Sequence, residues 1–440
     1  MTVLTYAVGV LLFVFGVAAS IGLHELGHLV PGKLFDVKVT QYFVGFGRTL
    51  WSRRRGETEY GVKAVPLGGY VKLVGMLPPN PDALPDDDPG AVRSSNTGMF
   101  AQLMSDARAA EYEHVEEADK DRLFYKLAWW KKIVVMASGV MTNLVIAFVL
   151  FAIVFMGHGI ASSTRTVSSV SQCVIAVAKV DQATRACTAS DPESPAKIAG
   201  ILPGDTIVSF NGRAMPDWAA LQKAIHGNEA GAALIGVERD GRRLTLRTST
   251  TVSTRIDPSN PERITRGGFL GISPAQANQR QDLGFVVSTM AHGTWATVQA
   301  VGSMPVKLYH VARASVGLEK RDVNGPMSVV GAGRVAGEMT SQRAVPLADR
   351  FFNVLLLIAG LNLFLGMFNL VPLPPLDGGP IATTLYEAAR RGIARLRKRP
   401  DPGFVDSAKL LPITYVMAGV ILVASLVLIY ADIVAPISLS

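Results

Sequence analysis

His24-Glu25-Leu26-Gly27-His28 stands at the end of a stretch, Val3 to Leu23, that holds no charged residue. Twenty-one apolar or small residues, rising about 1.5 Å each, span roughly 30 Å, the hydrocarbon thickness of a bilayer. On a helix His24 and His28 lie one turn apart on one face, so both imidazoles can reach a single metal ion. Glu25 lies on the flank of that face, placed to take a proton from water at the metal. Ionisable side chains at membrane depth are costly, and the cost argues for function. The run implies proteolysis at or inside the membrane.

Two plainer readings compete with it. An H-E-x-x-H run arises by chance in many chains. The N-terminal stretch could also be a signal peptide cut near Val17-Ala18-Ala19-Ser20. Met1 to Tyr6, however, supply no basic n-region, and the apolar run exceeds a usual signal core.

With 18% charged and 49% hydrophobic residues among 440, the chain is less charged than a soluble protein of its size. The length suits a membrane domain with one or two domains outside it. A net charge of +8 does not point to nucleic acid, because the basic residues form no aromatic-interleaved surface. They cluster instead beside apolar spans, the pattern that orients membrane proteins. The two cysteines, Cys173 and Cys187, lie in one polar region outside any C-x-x-C array. That spacing argues against a thiolate zinc site, while a disulfide and two free thiols both fit.

Hydropathy marks four spans, about Val3 to Leu29, Ile133 to Met156, Phe351 to Val371 and Leu410 to Ile433. Lys126, Lys131 and Lys132 precede the second, and Arg390, Arg391, Arg395, Arg397, Lys398 and Arg399 separate the third from the fourth. Both clusters belong in the cytoplasm by the positive-inside rule. Both termini and the long segment between spans two and three then lie outside, with His24 and His28 toward the cytoplasmic face. Val37 to Val74 alternates apolar and polar residues around glycines, which predicts short β-hairpins. They either form a small packing sheet or offer an edge strand to an extended substrate. Pro78 to Arg122, rich in Pro, Asp, Glu and Ala, reads as a mobile loop.

In the outer region the run Ala199-Gly200-Ile201-Leu202-Pro203-Gly204-Asp205-Thr206-Ile207-Val208-Ser209-Phe210-Asn211-Gly212 gives a turn, a strand and a hairpin. A helix follows over Trp218 to Ile225, then a strand pair about Asp240-Gly241. The run resembles the PDZ signature of bacterial proteases, whose domains bind peptides by strand addition, though a PDZ acting as a steric plug is the alternative. Val298 to Gly317 reads as an amphipathic helix on the outer membrane surface.

A catalytic zinc usually takes three protein ligands, and no further histidine lies in the cytoplasmic half of a span. Asp377, in Asn369-Leu370-Val371-Pro372-Leu373-Pro374-Pro375-Leu376-Asp377-Gly378-Gly379, falls at the same depth as the histidines. The prolines there unwind the span and free backbone groups. Asp377 either completes the metal set or caps the helix that follows.

H-E-x-x-H in a first span with N-x-x-P-x-x-x-L-D-G in a later one resembles the site-2 protease family of intramembrane zinc metalloproteases. Pro66-Leu67-Gly68-Gly69-Tyr70-Val71, the outer PDZ region and Asn324-Gly325-Pro326-Met327 are similar to its bacterial regulator of sigma-E protease branch. The resemblance covers nearly the whole chain. It implies Zn2+ held by His24, His28 and Asp377, with Glu25 as general base. It implies substrate contacts at Gly68, Gly69, Tyr70, Asn143 and Asn369. Gly139-Val140-Met141-Thr142-Asn143 matches the family's G-P-x-x-N run except for Val140 in place of proline. The implied substrates are single-span membrane proteins such as anti-sigma factors, cut after another protease removes the outer domain. The implied setting is a multi-pass protein of the bacterial plasma membrane, in contact with the lipid bilayer and not with nucleic acid.

The expected fold class is an α-helical polytopic membrane protein with about four transmembrane helices, a cytoplasmic-side β-hairpin region and an extracytoplasmic α/β PDZ domain. Residues 1–30 carry the first span, 31–76 the hairpins, 77–128 the loop and 129–157 the second span. Residues 158–255 form the PDZ domain and 256–348 a linker with the amphipathic helix. The third span occupies 349–380, a basic loop 381–409 and the fourth span 410–434. A metal transporter would spread its polar groups along several spans, and a silent PDZ scaffold would not need Glu25. Both remain alternatives to an enzyme.

Overall fold

The structure, a computed structural model, describes residues 2–79, 99–112, 115–175, 186–257 and 260–437. The chain forms two compact units, 1–156 with 282–440, and 157–281.

In the first unit, helix α1 runs over Thr2–Leu34, and strands β1 (Val39–Arg55) and β2 (Thr58–Leu73) follow it. Both strands bend, so the pair makes four rungs. Residues 49–55 pair antiparallel with 58–63, residues 59–62 run beside 41–44 in the same direction, and 39–44 pair antiparallel with 69–73. The predicted hairpins are present, and residues 69–73 form one outer edge. Helix α2 (Met99–Tyr112) and a 3-10 turn at Glu117–Arg122 occupy part of the segment expected to be a loop throughout. Glu111 accepts the backbone N–H groups of Gly75 and Met76, at 2.7 and 3.0 Å, and so ties α2 to the end of the hairpin. Residues 80–98 and 113–114 of that expected loop lie outside the described residues.

Helix α3 (Trp129–Ala152) continues as a π-helical turn over Ile153–His158. After the second unit come α6 (Leu283–Ser315), α7 (Val329–Ser341), α8 (Leu347–Asn369), α9 (Gly378–Leu396) and α10 (Leu411–Val434). Among the described residues four helical segments are long and apolar enough to cross a bilayer: Val3–Leu34, Trp129–His158, Leu347–Asn369 and Ser407–Val434. The protein is a multi-pass membrane protein. The helix anticipated over Val298 to Gly317 is the second half of α6, which packs along α8 and α10. The basic stretch expected as a loop is helical as α9 through Leu396, because Ala, Leu and Arg favour helix and Glu387 finds a buried partner on α3.

Hydrophobic burial does not drive helices together in lipid, so close packing of small residues matters more. A Cβ on Gly27 of α1 would stand 2.7 Å from the Ser138 carbonyl oxygen and 2.9 Å from Gly139 Cα of α3. The two glycines let these helices cross almost backbone to backbone. Higher on α1, Phe13 and Val17 pack against Ala332 and Ala336 of α7 and Val354 and Ile358 of α8. Near its end, Leu29 shares a cluster with Val37, Val39, Leu73, Phe124, Val135 and Met136, which fixes the sheet against α1 and α3.

The second unit holds β3 (Ile160–Val170), α4 (Pro195–Ile198), β4 (Thr206–Phe210), β5 (Arg213–Ala214) and α5 (Trp218–Gly227). It continues with β6 (Ala232–Arg239), β7 (Arg242–Ser249), β8 (Thr251–Asp257), β9 (Asn260–Phe269) and β10 (Ile272–Gln279). The main sheet is antiparallel in the order β10-β3-β4-β6-β7, with β5 on β4. Asn211 and Gly212, at φ 48° and 76°, make the predicted turn between β4 and β5, a backbone that suits these two residue types. The core is Val167, Ile207, Phe210, Leu221, Ile235, Val237 and Leu270. The unit extends past residue 255, where the sequence pattern ends it, because Leu270 belongs to the core and β10 pairs with β3. Cys173 and Cys187 form a disulfide.

Candidate metal centre

His24 and His28 lie on α1 at the level where Gly139 of α3 leaves room beside them. A Cβ on Gly139 would sit 2.2 Å from His28 Nε2. The third arm comes from the turn between α8 and α9. Pro372, Pro374 and Pro375 contribute no amide donors there, and the chain folds back on itself at Gly378. A side chain on Gly378 would meet the Val371 carbonyl at 2.2 Å, and one on Gly379 would meet Pro374 N at 2.8 Å. Two glycines are therefore required directly after Asp377. Asp377 makes no side-chain cap to α9, which sets the capping alternative aside. Its carboxylate turns toward the two histidines.

Asp377 Oδ2 is 3.2 Å from His24 Nε2 and 3.4 Å from His28 Nε2, and the two Nε2 atoms are 3.3 Å apart. Zinc bonds to nitrogen and oxygen of about 2.0–2.2 Å place tetrahedral donors roughly 3.3–3.5 Å from each other. The observed triangle, with sides of 3.2, 3.3 and 3.4 Å, comes within about 0.1 Å of those dimensions. His28 Nδ1 lies 2.8 Å from the Val135 carbonyl oxygen. A carbonyl only accepts, so Nδ1 carries the proton and Nε2 presents a lone pair to the triangle. Asp377 Oδ2 and His24 Nδ1 are buried without a hydrogen-bond partner. An oxygen orphaned beside two imidazole nitrogens needs a cation, since burial without one is costly. The residues present fit zinc.

Glu25 is adjacent on α1, and β2 approaches it closely. A Cβ on Gly69 would stand 2.9 Å from Glu25 Cγ and 3.0 Å from Ile21 Cγ2. Tyr42 donates to the Gly22 carbonyl at 2.8 Å, pinning the same sheet face to α1 one turn earlier. The rung 69–73, paired on one side with 39–44, runs past the general-base candidate. Of the residues expected to meet substrate, Gly69 is therefore at the centre. Gly68 adopts φ 134° against the Phe46 ring, and Tyr70 stacks on Phe43 and Phe46, so both shape the hairpin itself. Asn143 is buried on α3 against Gly366 of α8, and its Oδ1 has no partner. Asn369 is the last residue of α8. Among the described residues no hydrogen bond ties it to the triangle.

Three contributors escaped the sequence reading: the Val135 carbonyl, the Gly27–Gly139 crossing, and the pair Lys132–Glu387. Lys132, counted above as a flanking charge, is buried and lies 3.1 Å from Glu387. A lysine at a span end and a glutamate in the basic stretch were the available signal, but nothing in the sequence paired them.

The family model described as Peptidase family M50 matches residues 12–400. The zinc metalloprotease Rip1 of Mycobacterium tuberculosis is 32% identical over 459 residues, covering 99% of each chain. Rip1 of Mycobacterium bovis and Rip1 of Mycolicibacterium smegmatis are also 32% identical, over 456 and 450 residues, again with 99% of each chain covered. With a metal-sized donor triangle at membrane depth and a carboxylate beside it, this chain is a zinc metalloprotease and belongs to peptidase family M50.

Proposed function

We propose that this metalloprotease hydrolyses peptide bonds of single-span membrane proteins, of the anti-sigma factor kind, in regulated intramembrane proteolysis. The observation that carries the reading is the meeting of three elements on α1: the donor triangle, Glu25, and the open edge of β2 at Gly69. A peptide bond attacked here has to leave its helix, since a helix keeps its carbonyls in internal hydrogen bonds. The rung 69–73 offers the released segment backbone partners in extended form.

His24, His28 and Asp377 would hold the zinc, and the Val135 carbonyl keeps His28 in the ligating tautomer. When bound, zinc supplies Lewis acidity that makes water acidic near neutral pH and draws electron density from a peptide carbonyl. Glu25 takes the proton from the attacking water and returns it to the departing amine. The orphaned Oδ1 of Asn143 is available to a backbone N–H of the unwound substrate. Asn369 is assigned a weaker version of the same role.

The second unit is read as a PDZ domain outside the cytoplasm that filters substrates by size or by a newly exposed terminus. A disulfide within it supports an oxidising compartment. The basic residues flanking the spans support termini on that same outer side and a metal centre toward the cytoplasm.

The test is cleavage of a pre-truncated single-span protein by the purified enzyme in lipid nanodiscs. Cleavage is expected to need zinc and to vanish in Glu25→Gln while bound zinc stays at one per chain. Full cleavage by Glu25→Gln would remove Glu25 as the base. Cleavage of soluble peptides alone would remove the membrane substrate.

A further inference from the structure

We infer that the face of the β1/β2 sheet turned toward α1 continues into a binding site for an anionic phospholipid headgroup, built by Lys33, Trp51, Arg53, Arg55 and Tyr60. The register carries the argument. Tyr42 pairs with Tyr60, and Tyr60 with Arg53, so their side chains share a face. That face holds Tyr42 against Gly22 and Gly69 against Glu25, and it is therefore the face packed on α1. Two residues either way along the outer rung, Trp51 and Arg55 lie on the same side. They project beyond the helix that covers the rest of the face.

Three observations identify the ligand. First, residues 46–56 are all exposed, and Trp51 and Leu50 are 59% and 67% accessible. Among the described residues no carboxylate forms an ion pair with Arg48, Arg53, Arg54 or Arg55. Second, a concavity of about 480 Å³ is lined by Trp51, Arg53, Arg54, Arg55 and Tyr60. Guanidinium pairs bind phosphate oxygens in bidentate fashion. Third, the site lies at a span end. Lys33 in the last turn of α1 donates to Tyr60 Oη at 2.8 Å. The 33 residues of α1 extend about 50 Å against roughly 30 Å of hydrocarbon, so that end stands among headgroups. Exposed tryptophan and arginine at that level fit an interface with anionic lipid. A soluble phosphate would have no use for Trp51.

The full chain in detergent would be titrated with phosphatidylglycerol and with phosphatidylcholine, and bound lipid counted by native mass spectrometry. The wild type is expected to retain phosphatidylglycerol preferentially, and Arg53→Gln/Arg55→Gln to lose roughly tenfold or more of that retention. Arg53→Lys/Arg55→Lys should keep part of it, and Arg242→Gln/Arg243→Gln on exposed β7 all of it. Zinc content reports that each variant is folded. Unchanged retention in the double glutamine variant overturns the site. Equal displacement by inorganic phosphate overturns the lipid as its ligand.

Discussion

Lys132 Nζ lies 3.1 Å from Glu387 Oε1 at the junction of α3 and α9, with both side chains less than a tenth exposed. Three residues after Lys132, the Val135 carbonyl holds His28, and ten residues before Glu387 stands Asp377. Glu387 also accepts the Val405 N–H at 3.1 Å. The pair thus fastens the helix that follows one arm of the donor triangle to the helix that orients another. Removing one member of a buried ion pair strands the other and costs about 3–5 kcal/mol, whereas replacing both with apolar residues is far milder. Lys132→Met leaves Glu387 with Arg391 Nη1 at 3.8 Å and the Val405 N–H, so it is expected to lower stability by less than that amount and to release zinc more readily. Lys132→Met/Glu387→Leu should recover most of the stability, short of the part that Val405 loses. Unfolding curves and zinc dissociation rates of the three proteins decide it.

Gly139→Ala should act on the metal before it acts on the fold. The new methyl group would sit 2.2 Å from His28 Nε2, and the backbone of α3 cannot retreat while Gly27 is packed against it. His28 would swing off the triangle. Changes around a ligand typically weaken metal binding 10–100-fold, and displacing the ligand itself should reach at least the upper end. Competition against a zinc chelator measures it directly. Thermal stability should change much less.

The parts legible in the sequence are those written within one turn or one span. His24, Glu25 and His28 follow from spacing on a helix, and Asp377 from a carboxylate at a depth where none is cheap. The hairpins follow from alternation and glycine. What stayed hidden depends on long-range geometry. Any residue at 135 could supply a carbonyl, so composition carries no trace of that hydrogen bond. Glu387 sits in a basic amphipathic stretch that reads as a solvated loop, and only the fold brings it to Lys132. Likewise β10, a polar strand with Pro274, gives no sign that it joins β3 across about a hundred intervening residues.

The second unit should weaken in acid through Asp205. Its carboxylate accepts from Arg239 Nε and Nη2 at 2.7 and 2.8 Å and from the Leu202 N–H at 2.9 Å, and the side chain is 1% exposed. The Arg239 hydrogen bonds hold this carboxyl below the usual aspartate range. A carboxyl depressed on folding contributes stability that is complete above its unfolded value, about 3.9. That contribution is lost as pH falls through the lower folded value. Protection factors at the amides of β4 and β6, referred to the intrinsic exchange rate at each pH, should therefore fall below about pH 4. Asp205→Asn should exchange faster at pH 7 and lose much of this acid dependence.

Gly69→Ala separates the chemistry from the metal. The added methyl would stand 2.9 Å from Glu25 Cγ and 2.9 Å from the Phe43 carbonyl oxygen. Either Glu25 moves or the rung at 69–73 lifts away from α1. The three atoms nearest the new group belong to Glu25, Phe43 and Ile21, and none of them to the donor side chains His24, His28 and Asp377. Zinc affinity is expected to stay within about twofold of the wild type. A shift of about 1 Å in a reacting group can cost roughly 100-fold in rate, so kcat/KM should fall by at least tenfold. A fall in kcat with KM unchanged would place the effect on Glu25, and a rise in KM would place it on the edge strand. If zinc is lost along with activity, Gly69 is holding up the whole centre instead of spacing the proposed base, Glu25, from the substrate.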